Sequence, residues 1–507
     1  MPLFFKSAAP RILFVGSEAA PFAKIGGLGE VMFSLPRALN KLGYDARIMI
    51  PRYAGIDLRK FNLEMELEGL HVPTDIEDPN QPENLICNVR KYTSGTLARS
   101  PATTYFLENF EYYEKRANVY GYNDDSVRWA LLCRGVLEFL RRSKWVPDVI
   151  VSADWQIGIL PNYLKTIYKE DQVLSKIATV FSIHNLFYQG LFDHHFVNEM
   201  DDDDGKSSVP SFFDPRLLKI NGMRRGIMYA DIINTVSPTY AREIMTKEYG
   251  ELLDGLLRER RSRVYGVING IDYEVFNPET NPHLAKSFDA NSLKKRSANK
   301  LELQARFGLP KDEKAFVVSI VARLTEQKGL DLLLPVAEAL LKETPMQLVV
   351  LGSGEAKYMS FFQDLEKKHP KRVAAHLSFD FDLPHLVYAG ADVVLIPSRF
   401  EPSGLSQMEA MRYGCIPIAR KTGGLADTVE DYDPQNKTGL GFVFNSFDSI
   451  SLVVAMMRAY EIYRNPEVWQ KIQQRAMNRD FSWKQSAADY GKLFETAKAI
   501  HGREVKE

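Results

Sequence analysis

The chain has 507 residues, 45% hydrophobic and 25% charged, the balance of a globular protein with a buried core, and no apolar run approaches the ~20 residues of a membrane span. Its 64 Lys plus Arg nearly cancel 65 Asp plus Glu, which argues against nucleic acid or an anionic membrane as partner and makes any anion site a local one. Cys87, Cys133 and Cys415 lack CxxC spacing, so neither a disulfide framework nor a zinc cage is expected, and they read as core thiols of a reducing compartment.

A length prior of about 150 residues per domain favours two large domains. The basic N-terminus runs at once into a strand and leaves no room for a secretory signal, so a cytoplasmic chain is expected, or a plastid one if a transit peptide has been removed. Arg11 to Gly16 is a short apolar run that predicts a buried strand, followed by a loop holding Gly26, Gly27 and Gly29. Val31, Leu35, Leu39 and Leu42 then recur at helical spacing, and ARIMIP from Ala46 predicts the next strand, which makes a βαβ unit. PDVIVSAD and KIATVFSIHN end in the polar residues Asp154 and Asn185, at the strand ends where ligands of open parallel sheets sit. DIINTVSPTY and VYGVINGID close this half, taken as residues 1–276.

Residues 277–314 are rich in Pro, Asn, Ser and Lys, with Lys294, Lys295 and Arg296 in a cluster, and are read as an interdomain connection carrying a helix. At Ala315 the pattern restarts: strand AFVVSIVA, loop RLTEQKG, helix LDLLLPVAEALL, then strands MQLVVLG, ADVVLIP and CIPIA, giving a second domain over 315–481. The fold class is α/β, two doubly wound domains in series, with an amphipathic helical segment over 482–507 that suits either domain.

Four constellations carry the chemistry. RFEPSGLSQMEAMRYG follows the strand ADVVLIP and sets Glu401 and Glu409 eight positions apart, with Gly404 shaping a loop and a helix starting near Leu405. An acid for sugar hydroxyls and one for a ribose is one division of labour; a helix cap and a solvated acid is the other, and spacing does not choose. RLTEQKG brings Arg323 and Lys328 onto a βα loop, where two cations can converge on a pyrophosphate or can simply be solvated beside Glu326. EAAPFAKIGGLGEV sets Lys24 beside three glycines, which permit close backbone approach to a phosphate but are also common in plain βα turns. It matches neither the Walker pattern nor GxGxxG, so a nicotinamide enzyme loses its fingerprint. IHNLFYQGLF puts His184 at a strand end with Tyr188 and Gln189 beyond; a lone histidine is more often structural than catalytic. The acids Asp201 to Asp204 are read as an exposed loop, and no metal is assigned.

In order and spacing, these segments resemble the glycogen and the bacterial or plant starch synthase family over nearly the whole chain. KIGGL looks like its KxGGL donor loop, ADWQ (Asp154) and HNLFYQG (His184) like its sugar-site segments, and NGID (Asn269 to Asp272) like the end of its first domain. RLTEQKG looks like its phosphate clamp, Glu401 and Glu409 match the E-x7-E pattern of retaining GT-B transferases, and KTGGLADT (Thr422, Gly423, Gly424) completes the set. Ser403 stands where that family commonly has cysteine.

The resemblance implies a GT-B fold, two Rossmann-like domains facing a central cleft and closing over the reaction. It implies transfer of glucose, with retention and without metal or other cofactor, from ADP-glucose (UDP-glucose remaining open) to glycogen, starch or a maltooligosaccharide. By this analogy Arg323 and Lys328 stabilise the departing diphosphate, Glu401 holds sugar hydroxyls, Glu409 holds the ribose and His184 lies near the reacting carbon. Lys24, Gly26, Gly27, Asp154, Asn269, Gly404, Leu405, Thr422, Gly423 and Gly424 would line the donor site. Two alternatives are a GT-B transferase for another acceptor, against which KxGGL and HNLFYQG speak, and a silent glucan-binding scaffold, which should have lost a charged donor residue.

Overall fold

The computed structural model describes residues 9–76, 78–95, 100–190, 203–378 and 380–504, and every statement below concerns these residues. The chain divides into two compact units. The first runs to Val236, resumes over Ala241–Val267 and takes in the C-terminal helix; the second holds Ser237–Tyr240 and Ile268–Ser482.

The first unit is built on β1 (Arg11–Val15), β2 (Asp45–Pro51), β3 (Glu64–Pro73), β4 (Asn84–Tyr92), β5 (Thr104–Glu108), β6 (Val149–Ala153), β7 (Ala178–Ile183), β8 (Ile232–Thr235) and β9 (Val264–Gly266). They form a nine-stranded sheet in the order β3-β4-β5-β2-β1-β6-β7-β8-β9, parallel except for the antiparallel β3–β4 and β4–β5 pairs. β1, β5, β6 and β7 are short apolar runs buried almost throughout, as strands covered on both faces by helices must be. The second unit contains β10 (Phe316–Val321), β11 (Met346–Leu351), β12 (Val373–His376), β13 (Val393–Ile396), β14 (Ile416–Arg420) and β15 (Phe442–Phe444), all parallel, in the order β12-β11-β10-β13-β14-β15. This is the 3-2-1-4-5-6 order of doubly wound folds, with its reversal between β10 and β13; the corresponding reversal in the first unit lies between β1 and β6.

Three sequence expectations are corrected. Residues 277–314, read as a connection, are built into the second unit: Asn281 donates to the Tyr413 hydroxyl (2.9 Å), Arg296 to the Ala391 carbonyl (2.6 Å), and Lys300 pairs with Asp392 (2.7 Å). Their polar side chains are buried and bonded, which composition cannot distinguish from solvation. NGID does not end the first unit; Ile271 N–H bonds the Phe481 carbonyl (2.8 Å) inside the second. LDLLLPVAEALL is not one helix, because Pro335 has no N–H to give and leaves a 3-10 turn (Leu330–Leu332) before a short helix (Ala337–Glu343). The three cysteines are free and buried. No described helix is long and apolar enough to cross a membrane.

The C-terminal helix (Trp483–Glu504) packs in the first unit, its Phe494 ring against Phe14 and Tyr44. Its last turns are moored electrostatically. His501 lies between the Asp231 carboxylate at Nδ1 (3.1 Å) and the Ser175 carbonyl at Nε2 (2.9 Å), two acceptors that both ring nitrogens meet as donors only in the imidazolium form. Burial alone would lower the His501 pKa, but the Asp231 hydrogen bond and charge outweigh it and raise it. Burial would raise that of Asp231, yet His501 and Lys165 (2.7 Å) bring it down to about 2. His501 therefore contributes stability that is complete below its unfolded pKa of about 6.5 and lost as pH rises through the raised folded value, while the Asp231 contribution is lost as pH falls from about 4 toward 2. His501→Gln should lower protection of the C-terminal helix amides by about 1.5–3 kcal/mol at pH 5–6, the worth of hydrogen bonds to charged groups, and by much less at pH 9. Hydrogen exchange at the two pH values checks this; equal loss at both would show that charge is not the mooring.

Candidate functional site

In the second unit the loops that follow β10 and β13 meet at the sheet's reversal point. A small recess there is lined by Ala322, Lys328, Leu330, Pro397, Ser398 and Ser406, among others. Lys328 donates to Glu401 Oε2 at 2.6 Å, and the buried Ser398 hydroxyl donates to the same oxygen at 2.9 Å. Glu401 is only 6% exposed, and two donors on one oxygen leave Oε1 for another. Backbone bonds tie the loops together: Arg399 N–H to the Gln327 carbonyl (2.9 Å) and Gly424 N–H to the Glu401 carbonyl (3.0 Å).

The glycines of KTGG are required by this closeness. Gly423 has φ +44°, and a β-carbon there would collide with the Glu401 carbonyl, as one at Gly424 would with that of Ser403. Thr422 precedes them as the N-terminal flank of the helix Gly423–Thr428 and is fully buried. Gly404 also has positive φ, and Leu405 precedes the helix Ser406–Arg412, close to the start the sequence predicts. Glu409 lies half-buried on that helix, where the Tyr388 hydroxyl donates to it at 3.4 Å. Arg323 is exposed, and no described side chain bonds or pairs with its guanidinium. Buried Ser403 Oγ and Thr325 Oγ1, in these same two loops, have no partner, nor does Asn269 Oδ1. Lys328, Ser398, Glu401 and Gly424 are thus one bonded cluster with Gly423 packed against it, whereas no hydrogen bond or ion pair joins Arg323 or Asn269 to it.

In the first unit the ends of β1, β6 and β7 carry Glu18, Asp154 and His184. Glu18, 3% exposed, accepts the N–H of Ile25 and of Gly26 (3.1 Å) inside the KIGGL loop. Lys24 reaches Glu30 (2.9 Å), and Gly27 opens the helix Gly27–Lys41. Asp154 holds φ +58°, a region unfavourable to L residues, and its Oδ1 accepts the N–H of His184 (2.7 Å) and of Asn185 (3.4 Å). The carboxylate thus pins the loop that carries His184.

Burial raises the Asp154 pKa to about 7 against those amide bonds, and lowers that of His184 to about 4, only partly offset by the charge of Glu18. His184 is a neutral ring at physiological pH, with Ser182 Oγ 3.3 Å from Nε2. Burial also raises Glu18, against its amide bonds. Sequence reasoning assigned no role to Glu18, although it opens the motif EAAPFAKIGGLGEV, or to Ser398, which only the fold brings to Glu401.

Gln189 is buried, accepting from Asn221 Nδ2 (3.0 Å) and donating to the Glu251 carbonyl (2.6 Å). One reading is corrected. Of the acidic run, Asp201 and Asp202 lie outside the described residues, and Asp203 is not exposed: it is buried in an ion pair with Arg225 (2.7 Å). No group of three or more His, Cys, Asp or Glu side chains able to hold a metal occurs among the described residues.

Asp154 gives a pH test. Its proton is held by the folded state between the unfolded pKa of about 4 and about 7, so the associated stability is present below that window and lost across it as pH rises. Asp154→Asn keeps the acceptor oxygen and tolerates the same backbone, and should gain in melting temperature relative to wild type as pH rises from 4 to 7, then level off. A difference that does not vary with pH would remove the buried proton from the account.

Two family models match: the starch synthase catalytic domain over residues 11–259 and glycosyl transferases group 1 over residues 302–476. The chain is 41% identical to the glycogen synthase of Thermotoga petrophila over 501 residues, covering 97% of this chain and all of that one. It is also 41% identical to the glycogen synthase of Geobacillus stearothermophilus over 489 residues, 96% of this chain and 97% of the relative. Its structure is similar to the catalytic domain of starch synthase IV from Arabidopsis thaliana bound to ADP and acarbose (TM-score 0.82, 30% identity, 97% of this chain and 100% of that one). A sucrose-phosphate synthase from Thermosynechococcus elongatus shares the fold at TM-score 0.58 and 17% identity, over 97% of this chain and 99% of that one. With these relatives matched end to end and two Rossmann-like units in series, the chain belongs to the glycogen and starch synthase family of GT-B glycosyltransferases.

Proposed function

We propose that the protein transfers glucose from ADP-glucose to the non-reducing end of an α-1,4-glucan with retention of configuration. The observation that carries this reading is the bonded cluster of Lys328, Ser398, Glu401 and Gly424 at the reversal point of the second sheet. The names of the relatives and the ADP and acarbose of the Arabidopsis structure supply the substrate classes.

Breaking the bond between glucose and diphosphate builds negative charge on the leaving oxygen, and cations placed against it stabilise it. Lys328, held by Glu401, and the exposed Arg323 are those cations. Glu401 Oε1, not engaged by Lys328 or Ser398, accepts from sugar hydroxyls, and Glu409 from the ribose. Gly404 and Leu405 at the start of the helix Ser406–Arg412, Thr422, Gly423 and Gly424 at that of the next, and Asn269 line the donor side. In the first unit Lys24 and the amides of Gly27 and Leu28 meet phosphate, that of Gly26 being given to Glu18 instead, Asp154 positions the His184 loop, and His184, neutral and able to donate or accept one hydrogen bond, meets the sugar.

Purified protein incubated with radiolabelled ADP-glucose or UDP-glucose, with and without glycogen, tests the reading: label should enter glycogen from ADP-glucose, and incorporation from neither donor overturns it. Arg323→Ala and Lys328→Ala should each lower kcat by about 10²–10³, roughly 3–4 kcal/mol, without unfolding the protein. Near wild-type turnover in both would defeat the phosphate assignment. Because these side chains supply the offsetting charge, turnover should survive EDTA; activity lost to chelation and restored by Mg²⁺ would contradict that.

A further inference from the structure

Glu18 is a buried carboxylate with no described Lys or Arg paired to it, a placement that costs free energy unless hydrogen bonds replace the lost water. Its donors are backbone amides of one short loop. Ile25 and Gly26 give their N–H groups to Oε2. The loop is wrapped around this group so closely that a β-carbon at Gly29 would sit 3.2 Å from Oε2, tighter than ordinary contact. Gly29 of KIGGLG is therefore small on the Glu18 side, a reason separate from ligand approach.

The helix Gly27–Lys41 has no side-chain cap of its own, since its N-terminal flank is Gly26. The first N–H groups of a helix have no intrahelical acceptor, and here Glu18, from nine positions before the helix, takes that of Gly26 immediately before it but not those of Gly27 and Leu28. Lys24 is held separately by Glu30, whose other oxygen accepts from Ser34 (3.0 Å).

We propose that Glu18 is a positioning residue for the transfer reaction: it binds one set of amides of the Lys24–Gly29 loop from within and so fixes the shape in which Lys24 and the amides of Gly27 and Leu28 meet the donor phosphates. This rests on the functional reading above. Glu18 touches no reacting atom, and acts through the loop.

The test uses the full chain carrying Glu18→Gln, with Glu18→Ala beside it. Glu18→Gln keeps size and one acceptor but turns an N–H₂ toward the amides, and should lower kcat about 10- to 100-fold, the cost of misplacing a binding element by a fraction of an ångström, with KM for glycogen within twofold of wild type. Without substrates, the amides of Ile25 and Gly26 should exchange about tenfold faster or more, while those of β1 and β6 stay protected and the melting temperature holds. Glu18→Ala should reproduce both effects. Wild-type kcat and unchanged exchange at Ile25 and Gly26 would overturn the proposal, as would losses that only follow a fall in overall stability. If the wild type transfers glucose from neither donor, the functional reading fails, and the exchange comparison still decides whether Glu18 sets the loop.

Discussion

Where a parallel strand ends, its loop has amides that water would otherwise satisfy, and a ligand site needs those loops rigid before the ligand arrives. The protein meets this constraint with carboxylates, Glu18 and Glu401 buried and Asp154 half-buried. Glu18 and Asp154 accept backbone N–H groups in the first unit, and Glu401 accepts Lys328 and Ser398 in the second while its own carbonyl holds Gly424. Each acid is close to a positive-φ residue or a glycine, because the chain can approach a carboxylate or carbonyl so closely only there.

The arrangement has an electrostatic consequence for a diphosphate ligand. The negative charge of Glu401 is compensated by Lys328 at 2.6 Å, so a phosphate that draws Lys328 toward itself leaves the carboxylate short of a donor. In the proposed reaction the sugar hydroxyls supply that donor, which couples recognition of the sugar to recognition of the phosphates. Arg323, exposed and without a described side-chain partner, is under no such exchange. The two cations of RLTEQKG are therefore unequal, which their spacing alone does not reveal.

Much of this was legible in the sequence because the relevant strands are apolar runs ending in polar residues. β1, β6, β7, β10 and β13 stand within the runs RILFVG, PDVIVSAD, KIATVFSIHN, AFVVSIVA and ADVVLIP that predict them. The β3–β4 hairpin was not read, since EMELEGLHVP exposes half of its residues at a sheet edge and carries little apolar signal. Residues 277–314 misled for the opposite reason: Asn281, Arg296 and Lys300 are polar and yet buried, their partners lying far away in sequence. Asp203 did likewise, since its partner Arg225 is 22 residues on. For the site, motifs named the residues that the proposed reaction sets against a ligand, but not those behind them. Ser398 and Glu18 act on neighbours that only the folded loops bring within reach.

In the proposed reaction these pinned loops serve transfer of glucose to the end of an α-1,4-glucan with its anomeric configuration kept. Proton NMR of the product formed from ADP-glucose and a maltooligosaccharide decides this: α-1,4 anomeric signals should grow in step with ADP release, as the oligosaccharide lengthens one glucose at a time. A β-anomeric product, or free glucose in place of a longer chain, would contradict it.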